Sequence, residues 1–213
     1  GKELTSSPLQ VPSRHIINFF DWSEEKSAKY TSAFKLIEQR MKPEREKIPR
    51  DTPINRHYHD HWWQYGVLVR SLYDRLQLSE WCFVIAAPSK YLALSRMPTN
   101  IVFTHALRVF PFDEWHLFSI LQSTLHEVWA RKYCGSLETR LRYSPSNCFN
   151  NFPFPADLWQ TANSTLATIG EQYHEHRRAL MRQLWLGLTP IYNLFHAPAL
   201  TPALVAKASK QPE

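Results

Sequence analysis

The chain has 213 residues, a formal charge of +6 and 44% hydrophobic residues, with 8 Trp, 9 Tyr and 12 Phe. That composition supplies a packed core, excludes wholesale disorder and favours a polyanionic partner. No apolar run approaches the roughly 20 residues of a membrane span, and no signal peptide precedes the core, so a cytoplasmic protein with no membrane partner is expected. Cys82, Cys134 and Cys148 are odd in number and lack paired spacing, which argues against a disulfide framework and for a reducing compartment. The chain opens on Gly1 rather than Met and is read as a piece of a longer polypeptide.

Residues 1–26 read as an extended lead-in, with Pro8, Pro12 and an apolar patch at Ile16, Ile17, Phe19 and Phe20. Tyr30, Phe34, Ile37 and Met41 recur at helical spacing and predict a helix over 27–42, followed by a solvated connector from Lys42 to Asp51 framed by Pro43 and Pro49. His57, His59 and His61 alternate beside Asp60. Imidazoles can hold a metal, but no Cys or carboxylate elsewhere completes a site, so a polar turn before a helix is expected and no metal. That helix is placed at 62–77, burying Trp62, Tyr65, Leu68, Val69, Leu72 and Leu76.

The period then changes. Segments 81–87, 91–94 and 101–110 predict strands, the last alternating, with Ile101, Phe103, Leu107 and Val109 on one face. Asp113 is the expected cap of a helix over 114–132 whose inner stripe is Phe118, Leu121, Leu125, Val128 and Trp129, with Gly135 as its stop. Residues 140–155 combine Arg140, Arg142 and Tyr143 with a Ser-Pro turn, an Asn/Cys/Asn loop and an aromatic-proline exit. A long helix follows from Asp157 to Leu186, with Leu166, Ile169, Tyr173, Leu180 and Leu184 inward and His174, His176, Arg177 and Arg178 on a solvated face. Gly187 ends it, Thr189-Pro190 opens a short helix through Phe195, and the tail from Ala197 is expected to fray.

Catalytic machinery is missing from this pattern. With 5 Gly, the chain has no phosphate-binding glycine loop, no nucleophile elbow and no Asn/Asp-Pro-Pro-aromatic loop. The strand region 81–110 contains no Asp or Glu, so a nuclease centre has no acids there. No catalytic or cofactor-binding residue is therefore expected. What remains is a basic set with amides: Lys90, Arg96, Arg108, Arg140, Arg142, Asn147 and Asn150. Arg reads guanine bidentately and Asn reads adenine, while Arg and Lys also hold phosphates. If Leu141 is buried in a strand, Arg140 and Arg142 leave the same face. The bland reading pairs one of them with Glu138 or sets it on the preceding helix end. At the level of the whole chain, a protein-interaction or scaffolding module with incidental charge is the alternative.

The run Arg140-Leu-Arg-Tyr-Ser-Pro-Ser-Asn-Cys-Phe-Asn-Asn-Phe-Pro-Phe-Pro155 resembles the end of the target recognition domain in MmeI-like (type IIL and type IIG) DNA methyltransferases of restriction-modification and phage-defence systems. Pro12 to Trp22 is similar to the linker leaving that family's catalytic domain, and Lys42-Pro-Glu-Arg45 and His61-Trp-Trp-Gln-Tyr65 to its helical connector. Phe118 to Ala130 resembles the recognition domain's core helix, and His176 to Met181 with Gly187 to His196 the helical segment after it. The resemblance implies a division into 1–60 (linker and connector), 61–155 (target recognition domain) and 156–213 (C-terminal helical segment and tail). It implies an α+β fold: a small, mostly antiparallel sheet on a core helix, with a helical connector and a helical arm. It further implies sequence-specific recognition of double-stranded DNA by a non-catalytic part of an adenine methyltransferase or type II restriction enzyme. Its partner would be an upstream methyltransferase domain of the same polypeptide, and that absent domain would bind S-adenosylmethionine.

Overall fold

The computed structural model describes residues 1–66, 69–137 and 140–210, and shows an α+β protein that divides into two compact units, 14–73 and 1–13 with 74–213. The expected lead-in is not wholly extended: it holds a short helix α1 (Lys2–Ser6) with Leu4 buried, and then α2 (Glu24–Ala28), capped by Ser23.

Unit 14–73 gathers Phe19, Phe34 and Trp62 into a core, with Ile17, Trp22, Ile37 and Trp63 against it. Helix α3 (Thr31–Glu46) runs through Pro43 instead of ending at 42. Proline costs the last turn one backbone bond, and Arg45 holds that turn from the side, stacking on Tyr58 at 4.4 Å and donating to the Gln64 carbonyl at 3.4 Å. The histidines do not form a turn ahead of a helix. His57 and His59 belong to α4 (Pro53–Asp60), opened by Thr52 and a proline at its first position, and His61 stands at its C-terminal end. Beyond it the expected helix 62–77 shrinks to α5 (Arg70–Leu76). Trp63 Nε1 and Gln64 Nε2 both donate to the Trp22 carbonyl (2.8 and 2.9 Å), which fixes this stretch as a turn and leaves Tyr65 and Val69 exposed. Leu68, counted in that helix, lies outside the described residues.

In the other unit β1 (Trp81–Ala86) is central, with β2 (Leu94–Pro98) and β3 (Leu107–Phe110) antiparallel on either side. Cys82, Phe83, Val84 and Ile85 are all fully buried, so both sheet faces are covered and β1 reads as an unbroken apolar run. The strand expected at 91–94 begins only at Leu94, because the Gln122 side chain takes the Leu92 carbonyl (2.8 Å) and the Leu94 N–H (2.9 Å). The strand expected at 101–110 is cut to four residues by a turn in which Leu107 N–H donates to the Thr104 carbonyl.

The helix expected at 114–132 is two, α6 (Trp115–Leu121) and α7 (Thr124–Tyr133), with Ser123 capping the second. The break resets the helical phase. Phe118 and Leu121 point inward, but Leu125 and Val128 are 78% and 61% exposed while His126 and Ala130 are buried. Asp113 does not cap α6; Glu114 occupies that position without a side-chain bond.

A ribbon of β4 (Gly135–Leu137) and β5 (Arg140–Arg142) follows, then a single π-type turn at Pro145–Phe149. Against expectation, Cys134 and Cys148 are paired as a disulfide, Cα to Cα 5.6 Å, because ribbon and turn return the chain to the end of α7. Cys82 is free and buried.

Helix α8 starts at Ser164 rather than 157, where Asn163 accepts from the Leu166 N–H, and runs to Gln183. Its inner face is Gly170, His174, Arg177 and Met181, one step from the expected stripe, and Ile169 and Tyr173 are substantially exposed. Helices α6 and α8 meet so closely that a Cβ at Gly170 would overlap Ser119 Oγ and the Trp115 carbonyl oxygen. Trp185, not a glycine, takes the left-handed position at the helix end (φ 53°), with the Leu186 N–H returning to the Met181 carbonyl. Gly187 instead begins α9 (Leu188–Phe195) against the Ser6 backbone. The tail expected to fray holds a helix within its described residues: Thr201 caps α10 (Pro202–Ala208), and the Lys210 N–H donates to the Leu184 carbonyl.

Candidate nucleic-acid interface

In β5 the pattern of exposure is out, in, out: Leu141 is 4% exposed while Arg140 and Arg142 face solvent. Alternation puts both guanidinium groups on the face opposite Leu141. Arg142 makes no side-chain hydrogen bond or ion pair among the described residues, and Glu138, the acid considered as a partner, lies outside them. Asn147 and Asn150 are exposed on and just after the π turn, where Ser146 Oγ donates to Asn147 Oδ1 at 3.3 Å.

This edge rests on a built frame. Tyr143, 1% exposed, shares a 2.9 Å hydrogen bond with His126 Nε2. Trp129 Nε1 donates to the Cys148 carbonyl at 3.1 Å, and Phe152 sets its ring edge-on to His126 at 4.5 Å. Phe149, Phe154 and Trp159 continue the aromatic contacts beyond the turn. Burial drives the His126 pKa down to about 4, and pushes the Tyr143 phenol upward, so both are neutral at ordinary pH.

The remaining expected residues divide. Ser89 bridges Leu141 through two backbone bonds, so Lys90 follows directly beside β5. Its ammonium donates to Asn193 Oδ1 at 2.6 Å, and Tyr91 Oη donates to the same atom at 2.9 Å. Arg96 and Arg108 instead flank β1, opposite Phe83 and Ile85. Arg96 is layered between Trp81 (4.6 Å) and Trp115 (5.2 Å) and pairs with Asp113 at 3.4 Å. Arg108 folds back onto the His105 and Leu107 carbonyls. Arg140, Arg142, Asn147 and Asn150 are therefore exposed along one short stretch of chain, Lys90 follows a residue bridged to it, and Arg96 and Arg108 lie on the strands that flank β1.

Sequence reasoning missed a second polar constellation. His174 and Arg177, assigned to a solvated face, are each 5% exposed. Arg177 donates to Tyr192 Oη (3.0 Å), to Gln122 Oε1 (3.4 Å) and to the Leu94 carbonyl. His174 accepts the Arg96 N–H on Nε2 and gives its Nδ1 proton to Glu175, which makes it a neutral imidazole. Desolvation, reinforced by Arg177, lowers its pKa to about 4. A glycine at 170 in register with 174, 177 and 181 was the available signal. His176 and Arg178 are exposed, as expected.

His57 and His61 stack at 4.6 Å, and among the described residues no group of three or more His, Cys, Asp or Glu is placed to hold a metal. No described helix is long and apolar enough to cross a membrane.

Comparison with known proteins bears on this geometry. MmeI, a type IIL restriction-modification enzyme whose structure was solved in complex with DNA, shares the fold over 89% of this chain, with a TM-score of 0.64 and 22% identity. DNA methyltransferase A of Bacillus subtilis (strain 168) is 31% identical over 65 residues, 30% of this chain. The chain spans 24% of the MmeI chain and 7% of the methyltransferase. The family model described as MmeI, target recognition domain, matches residues 22–156, and the chain belongs to that family.

Proposed function

We propose that this chain reads the sequence of duplex DNA on behalf of a longer DNA adenine methyltransferase or restriction-modification polypeptide, and performs no chemistry itself. The observation that supports it best is the β5 edge: two arginines and two asparagines, the side chains suited to guanine and adenine edges, stand outward from a frame buried beneath them. A ribbon of this kind fits the B-DNA major groove, about 12 Å wide. In this reading residues 1–60 lead from the catalytic domain, 61–155 carry recognition and 156–213 form the arm. Contacts from the edge fix register on the duplex, and register decides which adenine is turned out toward the catalytic domain. That domain would bind S-adenosylmethionine, the methyl donor.

The test is a titration of the 213-residue chain with a mixed-sequence duplex at two salt concentrations. Counterion release predicts a dissociation constant of about 10⁻⁴–10⁻⁶ M that weakens steeply with salt. Affinity indifferent to salt would favour a protein-interaction module, and methyl transfer by the chain alone would refute the non-catalytic role.

A further inference from the structure

We infer that His126 and Trp129, on the buried side of α7, are positioning residues that set base discrimination from behind the β5 edge without meeting DNA; this rests on the DNA-reading function proposed above. Three ties join α7 to the stretch that carries the outward side chains. The Tyr143 phenol meets His126 one residue after Arg142, the Trp129 indole holds the Cys148 carbonyl one residue after Asn147, and the disulfide anchors the same Cys148 to the end of the helix. Arg142 and Asn147 are thus each adjacent in sequence to a pinned residue. Their distance from the body and from each other is a property of α7.

His126 is an odd choice if its only task is filling space. It is fully buried, and its Nδ1 has no hydrogen-bond partner in the surroundings described. A buried polar atom left unpaired costs stability. Phe would fill a pocket already lined by Phe152 and Tyr143 but would leave the buried Tyr143 hydroxyl unpaired instead. What imidazole adds is the directional bond to Tyr143 Oη, which holds the chain between Arg142 and the Ser144-Pro145 turn in one path. Trp129 follows the same logic: its ring lies tilted against Tyr133 at 4.2 Å, but only the indole N–H reaches the Cys148 carbonyl. Groups that read bases must be held to a fraction of an ångström by neighbours that are themselves locked.

Selection from a randomised duplex pool with the wild-type chain first defines a preferred and a scrambled sequence. Binding to both is then measured for Tyr143→Phe, which removes one hydrogen bond and keeps the ring, and for Trp129→Phe, which removes one hydrogen bond and replaces the indole by a smaller aromatic ring. Preference for the selected duplex should fall by about tenfold, the scale of one misplaced base contact. Affinity for the scrambled duplex and its salt slope should stay within about twofold, because phosphate contacts tolerate small shifts. Amide exchange across Ser144–Phe149 should quicken in both variants, a readout that survives a change in global stability. His126→Gln, which retains a hydrogen-bonding side chain, should keep more of the preference than His126→Phe. Equal loss on both duplexes, or intact preference with faster exchange, overturns positioning while leaving DNA reading in place. A wild-type chain that selects no sequence overturns the function itself, and positioning with it.

Discussion

The β5 edge and the inner face of α8 are both arginine-bearing, and they use arginine in opposite ways. On β5 a single buried leucine anchors the strand and the guanidinium groups are left outside. On α8 the guanidinium of Arg177 is the anchor: three neutral acceptors, from Gln122, Tyr192 and the Leu94 backbone, receive its protons inside the fold. A buried cation ties α8, α9 and the start of β2 into one network, while Arg142 on the outside joins no such network among the described residues. The same residue type is therefore expected to act on stability in one place and on recognition in the other.

Acidification is the largest expected break in that contrast. His174 on the inner face and His126 beneath the edge both have folded pKa values near 4, against an ordinary value of about 6.5, so the unfolded chain takes up their protons first. Stability is full above pH 6.5 and falls as pH drops toward 4, by roughly 3 kcal/mol for each group. Denaturant melts across that window check it, and His174→Gln should remove about half of the slope.

Next in size is Arg177→Met, which leaves the Tyr192, Gln122 and Leu94 acceptors to be desolvated without their donor. A loss of about 3 kcal/mol is expected in chemical denaturation. Loss below about 0.5 kcal/mol would mean that water replaces the guanidinium and the anchor role is wrong.

Smallest for the fold is Arg142→Ala, expected to shift stability by no more than about 0.5 kcal/mol. Its effect should instead fall on DNA. A base-reading Arg142 relaxes one position of the selected sequence, and a phosphate-holding one weakens all duplexes and lowers the salt slope by about one. Unchanged binding in both respects removes Arg142 from the interface.

The parts of the chain legible in advance were those where one local rule acted alone. The apolar run at Trp81–Ala86 could be little but a central strand, and Arg-Leu-Arg at 140–142 declared its own alternation. Phase in the helices was lost where tertiary contacts decide it. Gln122 and Ser123 break one expected helix into α6 and α7 by giving their side chains to the backbone, which periodicity does not register. On α8 the inner face is made of a glycine, a histidine and an arginine, so a search for apolar stripes settled on Ile169 and Tyr173 one step away. The disulfide was hidden because fourteen residues of separation carry no motif until the ribbon folds. The expected contact residues were chosen by type, and of these Arg140, Arg142, Asn147 and Asn150 are exposed on β5 and at the turn that follows it. Type says nothing of surroundings: strand pairing sets Arg96 opposite Phe83 and Arg108 opposite Ile85.

The first thirteen residues share a compact unit with residues 74–213, and α1 packs on α9. During synthesis, therefore, α1 leaves the ribosome well before the helix it packs against. At usual elongation rates the gap between Ser6 and Leu188 lasts roughly ten to forty seconds. Through that interval Leu4 has no α9 to pack against, while residues 14–73 emerge complete and are able to fold. The unit 14–73 is thus an insertion in time as well as in sequence, and the larger unit cannot close until α9 has emerged.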